Sequence, residues 1–219
     1  MKTSKPIPKK TSRLDALTRA LKRRLWWIAA AGVLLLFVVA AQIPRFPLDL
    51  EATRAVQRMS RSGTAWTTSL TNTAKAPGIY VLLAATSFLA WRLKGVRAAL
   101  LPSAAYLLVL GLDRVLKPWI ARPRPSSDLV QVVGSSAGFG CPSTFGLVYA
   151  ATVGSVVWLA WRHARGTRRG MVMGLGLALL LAGATARVVL GGHWPSDMIL
   201  SYLLGVLVVT GLARWLGAR

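Results

Sequence analysis

The chain has 219 residues, 54% of them hydrophobic, with 28 Lys and Arg against 6 Asp and Glu, a formal net charge of +22. The distribution of that charge excludes a nucleic-acid-binding protein: the cations lie in short clusters between apolar runs of membrane-crossing length, not spread along polar sequence. A single cysteine, Cys141, excludes an intrachain disulfide framework.

In chain order, residues 1–24 hold nine Lys and Arg and one acid, and are read as a basic cytoplasmic tail beside anionic headgroups. Residues 25–219 are read as the membrane domain. Apolar runs at 25–43, 77–93, 96–112, 145–161, 171–190 and 197–213 predict six membrane helices, an all-α integral-membrane bundle. The first run is longer than the about 7–15 residues of a secretory leader's apolar region, so it is read as a span. Between the first two runs, "LDLEATRAVQRMSRSGTAW" sets Ala52, Val56 and Met59 on one helical face and Arg54, Arg58 and Arg61 on another, which predicts an interfacial amphipathic helix. The short basic turn "RLKGVR", broken at Gly95, predicts a tight hairpin between the second and third spans. On this layout 18 Lys and Arg fall on the side of the N-terminus and nine on the other, with Arg187 near the outer end of the fifth span. That bias places both termini in the cytoplasm and the 44–76 and 113–144 segments outside, with a bacterial inner (plasma) membrane as the expected location.

Three outer segments carry polar chemistry. In "KPWIARPRP", residues 117–125, Lys117, Arg122 and Arg124 sit on a stretch that prolines are expected to keep out of helix, and clustered cations on a stiff backbone suit a phosphate. The same cations also fit an ordinary basic loop capping a membrane helix. In "CPSTF", Pro142 suits a first helical turn, where free amides bind anions; Ser143 is either a donor to a phosphate or a simple helix cap. In "ARVVLGGHWPSD", Arg187, a Gly-Gly turn, His193 and Asp197 lie within 12 residues. An Asp four residues after a His can hold Nδ1–H and leave Nε2 free to attack.

In that order, the Lys with six residues before Arg-Pro, the Pro-Ser helix start, and Arg, five residues, His, three residues, Asp resemble the three motifs of the type 2 phosphatidic acid phosphatase family. The resemblance implies an integral-membrane lipid phosphatase that needs no metal or cofactor and acts on a lipid phosphate in the bilayer. Carried over by position, His193 is the nucleophile that forms a phosphohistidine and Asp197 its orienting partner. Lys117, Arg124, Ser143 and Arg187 form the phosphate cradle. Arg122 and Thr144 fall at positions that the family does not fix, and with Phe145 they are read as modifiers of the site.

The departure lies in the second motif, where the family reads Pro-Ser-Gly-His and this chain reads Pro142, Ser143, Thr144, Phe145. A lesser one is Ala186, where a Ser usually precedes the Arg. The family's His protonates the leaving oxygen, and general acid catalysis contributes about 10²–10⁴ in rate. A phosphate leaving group, with a second pKa near 6, departs without that proton. A lipid diphosphate, with polyprenyl diphosphate favoured, is therefore the expected substrate. A lipid-phosphate-binding protein of impaired turnover and a lipid phosphotransferase remain the alternatives.

Overall fold

Chain breakers stand where the apolar runs end, and they set the order of helices. The computed structural model describes residues 11–60, 65–134 and 137–217, which are helical with irregular connections. The helices are α1 (Thr11–Gln42), α2 (Asp49–Met59), α3 (Ala65–Asn72), α4 (Gly78–Lys94), α5 (Val96–Ile120), α6 (Thr144–His163), α7 (Gly166–Val189) and α8 (Pro195–Trp215). Gly95, at φ +87°, separates α4 from α5 and makes the expected hairpin at a backbone angle that other residues rarely adopt.

Five of these helices are long and apolar enough to cross a membrane: α1 from Ala16 onward, α5, α6, α7 and α8. The run expected at 77–93 becomes α4, which at 17 residues falls short of that length. The span expected at 96–112 continues to Ile120. α1 begins at Thr11 and runs without a break through the expected boundary at residue 24. The first ten residues of the basic tail lie outside the described residues.

The amphipathic segment does form a helix, but its inward face is not the apolar one. Asp49 and Thr53 are the buried residues of α2, whereas Met59 is 86% exposed. One turn further on, the Gln57 side chain donates to the carbonyls of Gln131 and Val189. α2 thus lies on the protein by a polar stripe at i, i+4 and i+8: partners on other segments satisfy Asp49 and Gln57, and the Thr53 hydroxyl between them donates to the Asp49 carbonyl of its own helix. Arg61 lies outside the described residues.

α6 is the axis of the bundle, packed by α4, α5, α7 and α8. Its apolar window is 72% buried, against 22% for α5 and 28% for α7. The outer helices turn Leu34, Leu107, Leu181, Ile199 and Val206 outward, as lipid-facing side chains. Lipid tails are as apolar as leucine, so close backbone approach, not apolar burial, must hold membrane helices together. Between α6 and α8 this approach uses small residues: a side chain at Gly205 would run into Ala150. Gly205→Ala should therefore lower the thermal unfolding midpoint in detergent, an overpacking cost of about 1–3 kcal/mol. Adding Ala150→Gly should recover most of the loss.

Candidate active site

Four helix ends meet at one end of the bundle: the last turns of α5 and α7 and the first turns of α6 and α8. The segments that connect them carry all three polar stretches. Lys117, expected on a non-helical segment, instead lies in the last turn of α5, with Pro118 inside the helix. Proline there removes a single N–H near the helix end. The chain leaves the helix at Ala121 (φ 48°), just before Arg122, whose following proline disfavours the helical conformation.

The three cations of that stretch have separate fates. Arg122 is 1% exposed and turns away from the surface. Its Nη1 donates to Asp197 Oδ1 at 2.6 Å and to Ser196 Oγ at 2.9 Å, and its Nη2 donates to Asp49 Oδ2 at 3.0 Å. Its Nε reaches the Pro44 carbonyl at 3.3 Å, and its guanidinium lies over the Phe46 ring. Lys117 is tied to Asp113 one turn earlier (3.2 Å) and donates to Thr144 Oγ1 at 2.6 Å; the Thr144 hydroxyl in turn donates to Asp113 at 2.8 Å. Arg124 faces the histidine.

His193 is 2% exposed. Its Nδ1 lies 2.7 Å from the Gly140 carbonyl and its Nε2 lies 3.1 Å from Arg124 Nη1. A carbonyl only accepts and a guanidinium only donates, so the neutral ring carries its proton on Nδ1 and presents the Nε2 lone pair to the arginine. The Asp197 carboxylate, expected to take Nδ1–H, stays 3.9 Å away. It is engaged by Arg122 on one oxygen and by the Trp194 amide, at 2.9 Å, on the other. Gly140 therefore supplies the hydrogen bond that orients the ring, a contact across 53 residues that no spacing in the sequence displays.

The remaining polar groups divide in the same way. The Ser143 hydroxyl accepts from the Gly146 amide as the N-cap of α6, and the Ser143 amide already donates to Ser201 Oγ. Ser143 is fully buried in these contacts, the helix-cap reading. Arg187 lies under the Gly-Gly turn, where a side chain at Gly192 would come within 2.8 Å of its Nη2. Its Nε is buried without a hydrogen-bond partner among the described residues. Such orphaned donors are rare inside proteins and point to a missing acceptor.

A cavity of about 290 Å³ opens here, lined by Arg124, Arg187, His193, Thr144 and Phe145, with Thr71, Ala74, Lys75 and Ala137 completing the wall. Lys75, exposed in the turn after α3, is a cation that the sequence motifs do not contain. Phe145 is 6% exposed, stacks on Tyr149 with ring centroids 4.2 Å apart, and gives the cavity an apolar wall. His163 closes the far end of α6.

This is a cationic cavity around a neutral, oriented imidazole at the end of a membrane bundle, the arrangement of an enzyme that handles phosphate at a membrane surface. Residues 98–219 match the PAP2 superfamily, and the chain belongs to it. No curated protein matches the sequence. The structure superposes on a transmembrane PAP2-type phosphatidylglycerolphosphate phosphatase from Bacillus subtilis with a TM-score of 0.65 and 20% identity, over 84% of this chain and 95% of that one. At that identity the likeness establishes a shared transmembrane fold.

Burial, followed by Arg187 and Arg124, holds the His193 imidazole well below its usual pKa; the Gly140 hydrogen bond opposes the shift. A depressed pKa keeps the ring neutral to lower pH, and removing a cation raises it. Nitrogen NMR of labelled protein should accordingly show His193 neutral, with the proton on Nδ1, at pH 6.5. Arg187→Gln should move its titration upward, and His193→Ala assigns the signal.

The Arg122 triad yields a second expectation. Asp49→Ala leaves a buried guanidinium with one carboxylate, a change that costs about 3–5 kcal/mol where a buried pair is broken. The thermal midpoint in detergent should drop accordingly, and Asp49→Glu should recover part of it. An unchanged midpoint in Asp49→Ala would show that α2 does not help to hold the fold.

Proposed function

We propose that this PAP2 protein is a membrane lipid phosphatase that removes phosphate from a lipid diphosphate at the outer leaflet through a phosphohistidine on His193. The observation that carries the reading is the Nε2 lone pair of a neutral histidine held among Arg124, Arg187 and Lys75 in one cavity. An incoming phosphate supplies the acceptor that Arg187 Nε lacks, and it draws Arg124 off Nε2 while the Gly138 and Gly192 carbonyls keep hold of that guanidinium. Nε2 then attacks phosphorus, the bond from phosphorus to the bridging oxygen breaks, and the leaving group departs with that electron pair. Nδ1–H stays on the Gly140 carbonyl. The imidazolium that results lies 3.9 Å from Asp197, which stabilises its charge. Water attacks the phosphorus in the second step, the electron pair of the P–N bond returns to Nε2, and both protons of the water leave on the released phosphate, as dihydrogen phosphate. Lys117 acts through Thr144, which stands between its ammonium and the cavity.

Phe145 supports the diphosphate as substrate. An apolar ring packed on Tyr149 offers no proton to a departing alkoxide, whereas a departing phosphate needs none. A polyprenyl diphosphate fits this requirement and the bilayer location. The Lys and Arg bias of the connecting segments supports an outward-facing site.

The test is phosphate release by purified protein in detergent with EDTA present, from a polyprenyl diphosphate and from phosphatidate. Wild type should favour the diphosphate, and His193→Ala should abolish both turnover and any acid-labile phosphoenzyme. Phe145→His should raise the phosphatidate rate by up to about 10²-fold and leave the diphosphate rate nearly unchanged. Equal effects on the two substrates would remove Phe145 from leaving-group choice. Phosphate binding without release in any variant would make the chain a binding protein.

A further inference from the structure

The cavity beside His193 has a further polar wall, built by α3 and the turn after it, that none of the three motifs contains. Thr71, Ala74 and Lys75 line the cavity, three and four residues apart, as a continuing turn of helix sets them. All three precede residue 98, outside the stretch that matches the PAP2 superfamily. Several contacts fix this wall in place. α3 packs on α7, the helix that carries Arg187. The Thr73 hydroxyl is hydrogen-bonded to that of Tyr149, and Leu70 and Ala74 pack in the cluster that holds Phe145 and Tyr149. The backbone of Lys75 is held from both sides: its amide donates to the Asn72 carbonyl at 3.0 Å, and its carbonyl accepts the Ile79 amide at 2.8 Å.

Two groups on this wall lack partners among the described residues. Thr71 is 5% exposed, yet its hydroxyl makes no hydrogen bond. Thr53, Thr86 and Thr152, also buried in helices, each donate to the carbonyl four residues earlier. A buried hydroxyl that makes no such bond on a cavity wall is a donor suited to a ligand. The Lys75 side chain is exposed, and the ion pairs among the described residues do not include it. Charge then separates the roles of the cations. Asp113 matches Lys117, and Asp49 and Asp197 match Arg122. A phosphate group carries about −1.5 to −2, which Arg124 and Arg187 balance between them. Lys75 is surplus to one phosphate and matched to a second.

We propose that Thr71 and Lys75 form a subsite for the second phosphate of a lipid diphosphate, the one that leaves as the lipid monophosphate. This rests on the diphosphate reading of the His193 site. Nε2 takes the terminal phosphate, held by Arg124 and Arg187, and the phosphate next to the lipid meets the α3 wall. When the bond from the transferred phosphorus to the bridging oxygen breaks, its electron pair goes onto that second phosphate. The Lys75 ammonium and the Thr71 hydroxyl donate hydrogen bonds to its oxygens, and no proton is transferred. The subsite stabilises charge that a protonating histidine would otherwise remove. Phe145 is part of the same assembly: its ring stacks on Tyr149, and the Tyr149 hydroxyl holds Thr73 in the turn that carries Lys75. The residue that stands in place of the acid thus helps to seat the cation that makes the acid unnecessary.

The experiment reads binding and turnover separately, on the full chain purified in detergent with EDTA present. Isothermal titration calorimetry measures binding of inorganic phosphate and of methylenediphosphonate, whose bridging carbon blocks cleavage. Wild type should bind the diphosphonate at least about tenfold more tightly than phosphate. Lys75→Gln should weaken the diphosphonate about 10–100-fold, the range of one hydrogen bond to a charged group, and phosphate by no more than about threefold. Thr71→Val, close to threonine in volume, should weaken the diphosphonate about tenfold. Lys75→Arg and Thr71→Ser should keep most of the binding, which separates the ligand contact from folding. In turnover, Lys75→Gln should lower kcat/KM for a polyprenyl diphosphate far more than for the polyprenyl phosphate with the same tail. Equal losses on the two ligands, or no loss, overturn the subsite, even where His193→Ala abolishes turnover and the reaction stands. A diphosphonate preference that Lys75→Gln erases, in a protein whose turnover survives His193→Ala, supports the subsite and overturns the reaction.

Discussion

A buried guanidinium between two carboxylates holds the active end of this protein together. Arg122 lies between Asp49 of α2 and Asp197 of α8, and a charge so far from water persists only when paired and hydrogen-bonded. Ser196 and the Pro44 carbonyl supply the rest of its bonds. The consequence reaches the histidine through the backbone. The Arg122 carbonyl accepts the Gly140 amide at 2.7 Å, and the Gly140 carbonyl holds His193 Nδ1. The residue that anchors α2 and α8 thus also fixes the peptide that orients the imidazole.

This arrangement sorts the cations. Arg122 is neutralised and removed from the surface, and Lys117 is matched by Asp113. Arg124 and Arg187 have no carboxylate partner among the described residues, and they line the cavity beside His193. A phosphate approaching that cavity meets unbalanced positive charge in a poorly solvated space, where it acts more strongly than in water. The same surroundings keep the imidazole neutral, so the pull on an anion and the available lone pair have one cause.

The central helix links the two ends of the molecule. Its first turn carries Thr144 and Phe145 at the cavity beside His193, and its last carries Arg162 at the opposite end of the bundle. Close packing of α6 against its neighbours, with Gly205 admitting Ala150, keeps those ends at a set separation. Phe145 belongs to that packing as well as to the cavity, so its ring serves both the fold and the apolar wall beside His193.

The amino-acid sequence by itself determined the membrane-spanning character, the hairpin at Gly95 and the membership of His193, Arg124 and Arg187 in one site. The first two depend on run length and a local breaker, which are properties of neighbouring residues; the third depends on three motifs in a fixed order, since Arg124 and His193 stand 69 residues apart. Only the tertiary structure decided which partner each polar group takes. Asp49 meets Arg122 across 73 residues, and Gly140 rather than Asp197 receives Nδ1–H. Lys75 enters the cavity from a turn with no motif around it, and α2 turns Asp49 and Gln57 inward because their partners, Arg122, Gln131 and Val189, come from other segments. The hydrogen-bond partner of a buried group is set by what packing brings within about 3 Å of it, and local spacing carries no record of that.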